Sequence, residues 1–220
     1  MYFKQTSVNG EDFIGMLGLA TDKYAIISNY FKEKEVLEVP TIKTNLYGTN
    51  LIGMFCRGNA CGLLVPYFIE EEKIRSMKKA LKDHKLDVEI GRVDDTYTAL
   101  GNFIVCNDKA AIISPALKHS KIYEDVLGVE VVTRKIANVN EIGSACTATN
   151  KGFLAHPKAK DELDDLTDIL KVKGGLGTIN FGYPFISSGL IANTNGYITG
   201  LKTSGVEIGK IDDALGFMQK

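Results

Sequence analysis

The sequence predicts an α/β fold, a closed ring of five pseudosymmetric strand–strand–helix–strand repeats forming a single domain over residues 1–220. Three observations carry this. A glycine, usually behind an aliphatic residue, recurs as Ile14-Gly15, Ile52-Gly53, Leu100-Gly101, Ile142-Gly143 and, more loosely, Ser188-Gly189. Six or seven residues later each copy places Asn or Asp in a turn setting: Asp22-Lys23, Asn59-Ala60, Asn107-Asp108, Asn150-Lys151 and Asn195-Gly196. An apolar strand follows every turn, and the period averages roughly 44 residues, one fifth of the chain.

Taken in order, Met1–Ser7 reads as a strand without a neighbour to pair with. The first repeat, about residues 8–46, has a strand over Tyr24–Ser28, a short or absent helix after Lys32 and a third strand over Thr41–Leu46. In the second, about 47–95, the strand Cys61–Val65 stops at Pro66. Ile74, Met77 and Leu81 at i, i+3 and i+7 mark its helix, and Val88–Val93 its third strand. The third, about 96–138, runs Ala110–Ser114, then Pro115, a helix with Ile122 and Val126 ending at Gly128, and a strand over Val129–Thr133. In the fourth, about 139–183, Gly152–His156 stops at Pro157, Leu163, Leu166 and Leu170 make the helix, and Gly177–Phe181 is the expected third strand. The fifth, about 184–220, has Tyr197–Gly200 and a helix through Ile208, Ile211 and Leu215, with no residues left for a third strand. The segment 1–7 is expected to supply it.

Asn, Asp and Gly tolerate the left-handed backbone of tight hairpins, and proline cannot donate a ladder hydrogen bond, so these residues punctuate the units. Closing the ring through the chain ends leaves only short, protected sheet edges. Helices are expected on the outside and the glycine-led strands near the axis.

Composition narrows the function. Hydrophobic residues at 45% and charged residues at 24% are globular values. The net charge of −1 argues against naked DNA or RNA as the main partner, because phosphate neutralisation supplies most of that affinity. No apolar run spans a membrane and the N-terminus lacks a signal-peptide layout, so a cytoplasmic location is expected. Cys56, Cys61, Cys106 and Cys146 form no C-x-x-C and are each read as buried small hydrophobes.

Catalytic templates fail. His84, His119 and His156 stand at non-equivalent places, and no G-x-S-x-G elbow is present. Gly-rich Lys173–Gly177 lacks the Lys-Ser/Thr ending of a phosphate loop. The acidic residues Asp161–Asp165 and the basic stripe Arg75, Lys78, Lys79 and Lys82 read as solvated helix faces. No catalytic residue, metal or cofactor is expected.

Several strings then point one way: Ile52-Gly53 through Asn59, Gly62-Leu-Leu-Val-Pro66, Ala99-Leu-Gly-Asn102 with Cys106-Asn-Asp108, Asp125–Val131, Gly143-Ser144, His156-Pro-Lys158 and Gly177-Thr-Ile-Asn180. In these residues, their order and their spacing, the chain resembles the translation initiation factor 6 family, ribosome anti-association factors, in its archaeal form. The resemblance implies a pentein β/α propeller. It implies a monomer that binds the large ribosomal subunit, through a ribosomal protein and rRNA at the joining face, and prevents association with the small subunit. It also implies a ribosome-facing rim at Gly15, Gly53, Met54, Asn102, Ser144 and Ala145, with Asn102 the leading contact. Eukaryotic relatives often carry a basic residue at the position of Met54 and an aromatic one at Ala145, so the polar detail of this rim differs. The competing reading is a pentein enzyme acting on guanidino groups. Such enzymes use a late cysteine, whereas the last cysteine here is Cys146 and the last histidine His156. A ring-shaped adaptor without a ribosomal role is the third reading.

Overall fold

The computed structural model describes residues 1–32 and 34–218, so the expected end of the fifth repeat at residues 219 and 220 lies outside the described residues. Among the described residues, fifteen short strands form five three-stranded sheets. In the first, β2 (Gly18–Ala20) pairs antiparallel with β3 (Ala25–Ser28), and β3 pairs parallel with β4 (Thr41–Thr44). The plan repeats in β5 (Arg57–Gly58), β6 (Gly62–Pro66) and β7 (Glu89–Val93). It recurs in β8 (Ile104–Cys106), β9 (Ala110–Ile113) and β10 (Glu130–Thr133). A fourth copy comprises β11 (Cys146–Ala148), β12 (Phe153–Ala155) and β13 (Gly174–Leu176). In the fifth sheet β14 (Leu190–Ala192) and β15 (Tyr197–Gly200) are joined by β1 (Phe3–Thr6) from the other end of the chain. Phe3 pairs with Tyr197 and Thr6 with Gly200. This is the five-unit α/β ring that the repeat predicts, and it fits a pentein propeller.

Parallel second and third strands need a crossover, which the amphipathic segments supply. Helix α1 (Glu71–Asp83) buries Ile74, Met77 and Leu81, the three residues its periodicity marks. Helices α2 (Ile122–Leu127), α3 (Leu163–Leu170) and α4 (Gly205–Ala214) cross the third, fourth and fifth sheets. In the first repeat, among the described residues, only a 3₁₀ turn, Glu35–Leu37, stands in the crossover, because Pro40 leaves no room for more.

The core is correspondingly divided. Five apolar clusters each join one unit to the strands of the unit before it; Leu63 and Val65 pack on the first sheet's Ile26 and Ile42, while Leu64 faces the third unit's Leu100 and Ile113. Alternate residues of one strand therefore serve two neighbouring interfaces, and stability propagates round the ring. The last cluster seats Phe3 and Phe217 against Tyr197. Tyr2 and Tyr197 both donate to Asp212, at 2.9 and 2.7 Å, which fastens the first strand to α4.

Four expectations need correction. The third strand of the fourth unit is Gly174–Leu176, not Gly177–Phe181. Its glycines are required by packing, since a Cβ on Gly174 would run into the Phe153 ring, whereas Asn180, Phe181 and Gly182 adopt positive φ in a turn. The glycines do not lead strands: they lie on short helical turns ahead of them, Ile14–Leu17, Ile52–Phe55, Leu100–Phe103 and Ile142–Ala145. In the fifth unit the equivalent turn is Ile186–Ser188, so Ser187 and not Gly189 holds the glycine's place. Lastly, Cys61 is exposed, unlike the other three cysteines.

Candidate functional site

The five helical turns gather at one end of the axis and pack backbone on backbone. A Cβ on Gly53 would collide with the Gly15 carbonyl oxygen, one on Gly101 with Gly53, one on Gly143 with Gly101, and one on Gly15 with Ser187. Successive turns thus touch at contacts that admit no side chain, and the fifth closes on the first. Gly15, named in the rim from sequence, is therefore a packing position and not a free contact surface. Gly15 is buried, and enlarging it forces the first and fifth turns apart.

One residue further along each turn stand Met16, Met54, Asn102, Ser144 and Ser188, all partly exposed. Ser144 donates its hydroxyl to Asn102 Oδ1 at 3.0 Å, linking the third and fourth turns. Of the six rim residues named from sequence, Met54, Asn102 and Ser144 share this ring, with Gly53 beside them. Ala145 does not: it is buried within the core and offers no surface to a partner. Met16 and Ser188 complete the ring and escaped the sequence reading. The repeat offset, glycine plus one, would have found Met16.

The same end carries an aromatic collar. Third strands enter tight turns there, and Asn9-Gly10, Tyr47-Gly48 and Ala137-Asn138 all adopt positive φ at both central residues. Tyr47 is 69% exposed and Phe181 85%. Tyr30, Tyr67, Tyr97 and Tyr183 are exposed as well, at second-strand ends or in the loops feeding the helical turns. Tyr47 and Tyr67 pack edge-on to Phe68, which contacts Phe55 beside Met54. Tyr97 packs on Phe103 beside Asn102. Glu207 shapes the turn bearing Phe181: its carboxylate accepts from the Gly182 amide at 2.8 Å, the Phe181 amide at 3.1 Å and the Thr178 hydroxyl at 2.7 Å. Burial alone would raise its pKa; the donated hydrogen bonds from Ser204, Gly182 and Thr178 outweigh burial and bring it to about 2.

The opposite end is built from brackets of another kind. Thr21, Asn59, Asn107, Thr149 and Asn193 each accept two amides of their own hairpin through the side-chain oxygen. The three asparagines also donate to the next unit: Asn59 Nδ2 to Asn107 O and Leu127 O, Asn107 to Thr149 O and Leu170 O, Asn193 to Thr21 O and Leu37 O. The sequence reading chose Asp22, Asn150 and Asn195 for three of these brackets, where Thr21, Thr149 and Asn193 serve. Asn150 instead donates to both Asp22 and Asp108, at 2.7 and 2.6 Å, across this mouth. Lys23, Lys109 and Lys151 ring it, so this end is polar where the other is aromatic.

Between the two ends lies the channel. Arg57, on β5, reaches along it so that Nη2 donates to the carbonyls of Gly101 and Gly143, the latter at 3.1 Å, and to Ser187 Oγ at 3.2 Å. Burial pushes the thiols of Cys56, Cys106 and Cys146 up to about 12, so they are protonated at neutral pH and are poor nucleophiles. Among the described residues no cluster of His, Cys, Asp or Glu is placed to hold a metal, and no helix is long and apolar enough to cross a membrane.

Comparison with known proteins supplies the lineage. The model of a family described as the eIF-6 family matches residues 3–214. Translation initiation factor 6 of Pyrococcus horikoshii is 37% identical over 227 residues, covering 99% of this chain and 100% of that protein. The factor of the same name from Methanococcus vannielii is 40% identical, covering 96% and 97%, and that of Saccharolobus islandicus 37% identical, covering 98% and 100%. Two solved structures of dimethylarginine dimethylaminohydrolase superpose at lower similarity. An adduct with S-methyl-L-thiocitrulline gives a TM-score of 0.48 at 14% identity. The Pseudomonas aeruginosa enzyme with citrulline gives 0.49 at 13%, each covering 94% of this chain and 74% of the other.

Proposed function

This chain belongs to the eIF-6 family of translation initiation factors, and we propose that it binds the large ribosomal subunit through the helical-turn end of the ring and thereby keeps the small subunit from joining. The observation that carries the reading is the asymmetry of the two ends: one presents a rigid plate of glycine-packed turns with Met54, Asn102 and Ser144 inside an aromatic collar, the other a closed polar mouth. Exposed aromatics around a small polar centre are the composition of a protein-binding patch. Asn102 offers an amide to a partner backbone while its oxygen is held by Ser144. A net charge of −1 favours a ribosomal protein as the main contact, with rRNA secondary. Inhibition is steric: the ring occupies a surface the small subunit needs, and the block lasts as long as the complex does.

Gradient co-sedimentation with purified subunits tests this. Migration with the large subunit, and a smaller fraction of joined ribosomes as the protein is added, is expected. Migration with the small subunit, or with neither, would remove the reading.

A further inference from the structure

Arg57 places a positive charge inside the channel with no negative partner, and we propose that the axial cavity binds one small monovalent inorganic anion of the halide class against this guanidinium. Among the described residues Arg57 takes part in no ion pair. Its acceptors are two carbonyls and a hydroxyl, all reached through Nη2, and Nε is buried with no partner. The nearby thiols of Cys56, Cys106 and Cys146 are protonated and neutralise nothing. Asp22 and Asp108 lie at the far mouth, where Asn150 and the amides of Thr194 and Ala60 already engage them. Arg57 is partly buried, and a cation that is partly desolvated and uncompensated carries a cost that neutral dipoles offset only in part.

Beside backbone carbonyls, the cavity holds donors that await an acceptor. Ser187 Oγ accepts from Arg57 Nη2 and from the Thr147 hydroxyl at 3.2 Å, so its lone pairs are used and its own proton is left to donate. Guanidinium N–H groups and a free hydroxyl therefore meet in one space. An occupant that accepts hydrogen bonds from them satisfies these groups, and an anion also supplies the missing charge. The cavity measures about 30 Å³ and is otherwise lined by backbone and by small or apolar residues such as Gly18, Val105 and Ile191. Since one water needs about 10–15 Å³, this space holds a halide or about two waters. The channel position also suits a weakly hydrated ion, because a halide gives up less hydration than a carboxylate on entering it. The inference concerns the axis alone and stands whether or not the helical-turn end docks on a subunit.

Crystals grown in sodium bromide test it by anomalous scattering. A bromide peak is expected in contact with Arg57 and Ser187, and none in Arg57→Leu. In solution, the thermal midpoint of the natural chain is expected to be about 3 °C higher in bromide than in gluconate at equal ionic strength, with no difference in the variant. Ordered water without anomalous signal overturns the proposal. So does a peak that persists in Arg57→Leu, which marks an adventitious ion only, or equal midpoints in both salts. If Arg57→Leu does not fold, Arg57→Lys, which keeps the charge, and the map of the natural chain decide the matter.

Discussion

At the scale of the residue, the same end of the ring holds two kinds of position that must respond differently to mutation. Met54 and Asn102 are partly exposed and carry side chains that a partner can touch, whereas Gly15 is sealed against the Ser187 carbonyl. Met54→Asp and Asn102→Ala are each expected to weaken association with large subunits by roughly tenfold or more while the melting midpoint stays within about 2 °C. Gly15→Ala is expected to do the reverse in order, lowering stability by about 2–4 kcal/mol through overpacking and impairing binding only as a consequence. Parallel melting and binding curves on the three variants check this. A melting loss for Met54→Asp comparable to that of Gly15→Ala would show that Met54 is structural. The glycines were legible as a repeat, but their purpose was not, because three are required by a turn some forty residues distant and Gly15 by one at the other end of the chain. Arg57 was illegible for the same reason: its acceptors lie 44 and 86 residues further along the chain. Ala145, placed in the rim by the family resemblance, illustrates how a one-residue step on a tight turn moves a side chain from surface to core.

Glu207 sets a pH dependence at this scale. Its carboxyl titrates near 2 in the folded chain against an ordinary 4.5. A depressed folded pKa means that the unfolded chain binds the proton more readily. Its stabilisation is therefore complete above about pH 4.5 and disappears as pH falls towards 2, a change of about 3 kcal/mol. Acid unfolding of Glu207→Gln should be flatter than that of the natural chain across this window, although less stable at neutral pH. Parallel acid-titration curves would contradict the assignment.

At the scale of the element, the brackets at the polar mouth divide into two types that the sequence blurred. Thr and Asn both hold their own hairpin, but only Asn also reaches the next unit. Asn59→Thr is thus expected to lose the two cross-unit bonds and keep the turn, while Asn59→Ala loses both. Denaturant titration should give about 1–2 kcal/mol for the first change and about twice that for the second. Equal losses would mean that the cross-unit bonds contribute nothing. Helix α1 was legible because its burial stripe is complete and local. Strand β13 was not: Gly174 and Gly175 look like breakers until Phe153 and Ala214 are seen pressed against them. The short helical turns escaped notice because three or four residues with at most two buried side chains give no period to read.

At the scale of the whole molecule, a chain whose ends meet in one sheet makes every unit interior to the ring, and each apolar cluster straddles a junction between units. Such a ring has no weak terminal repeat and gives its two ends fixed, unlike surfaces. The five-unit α/β class was readable from period and punctuation; which end faces a partner was not, since exposure of the collar depends on turns whose left-handed residues include Tyr47, Ala137 and Phe181, none a usual turn former. The direct measurement is a cryo-electron-microscopy map of this chain on purified large ribosomal subunits. The expected map has the helical-turn end, with Met54, Asn102, Ser144 and the aromatic collar, against the subunit's joining surface, and the polar mouth of Asp22, Asp108 and Asn150 in solvent. A ring seated by its polar mouth or its outer helices, or lying away from that surface, would contradict the account.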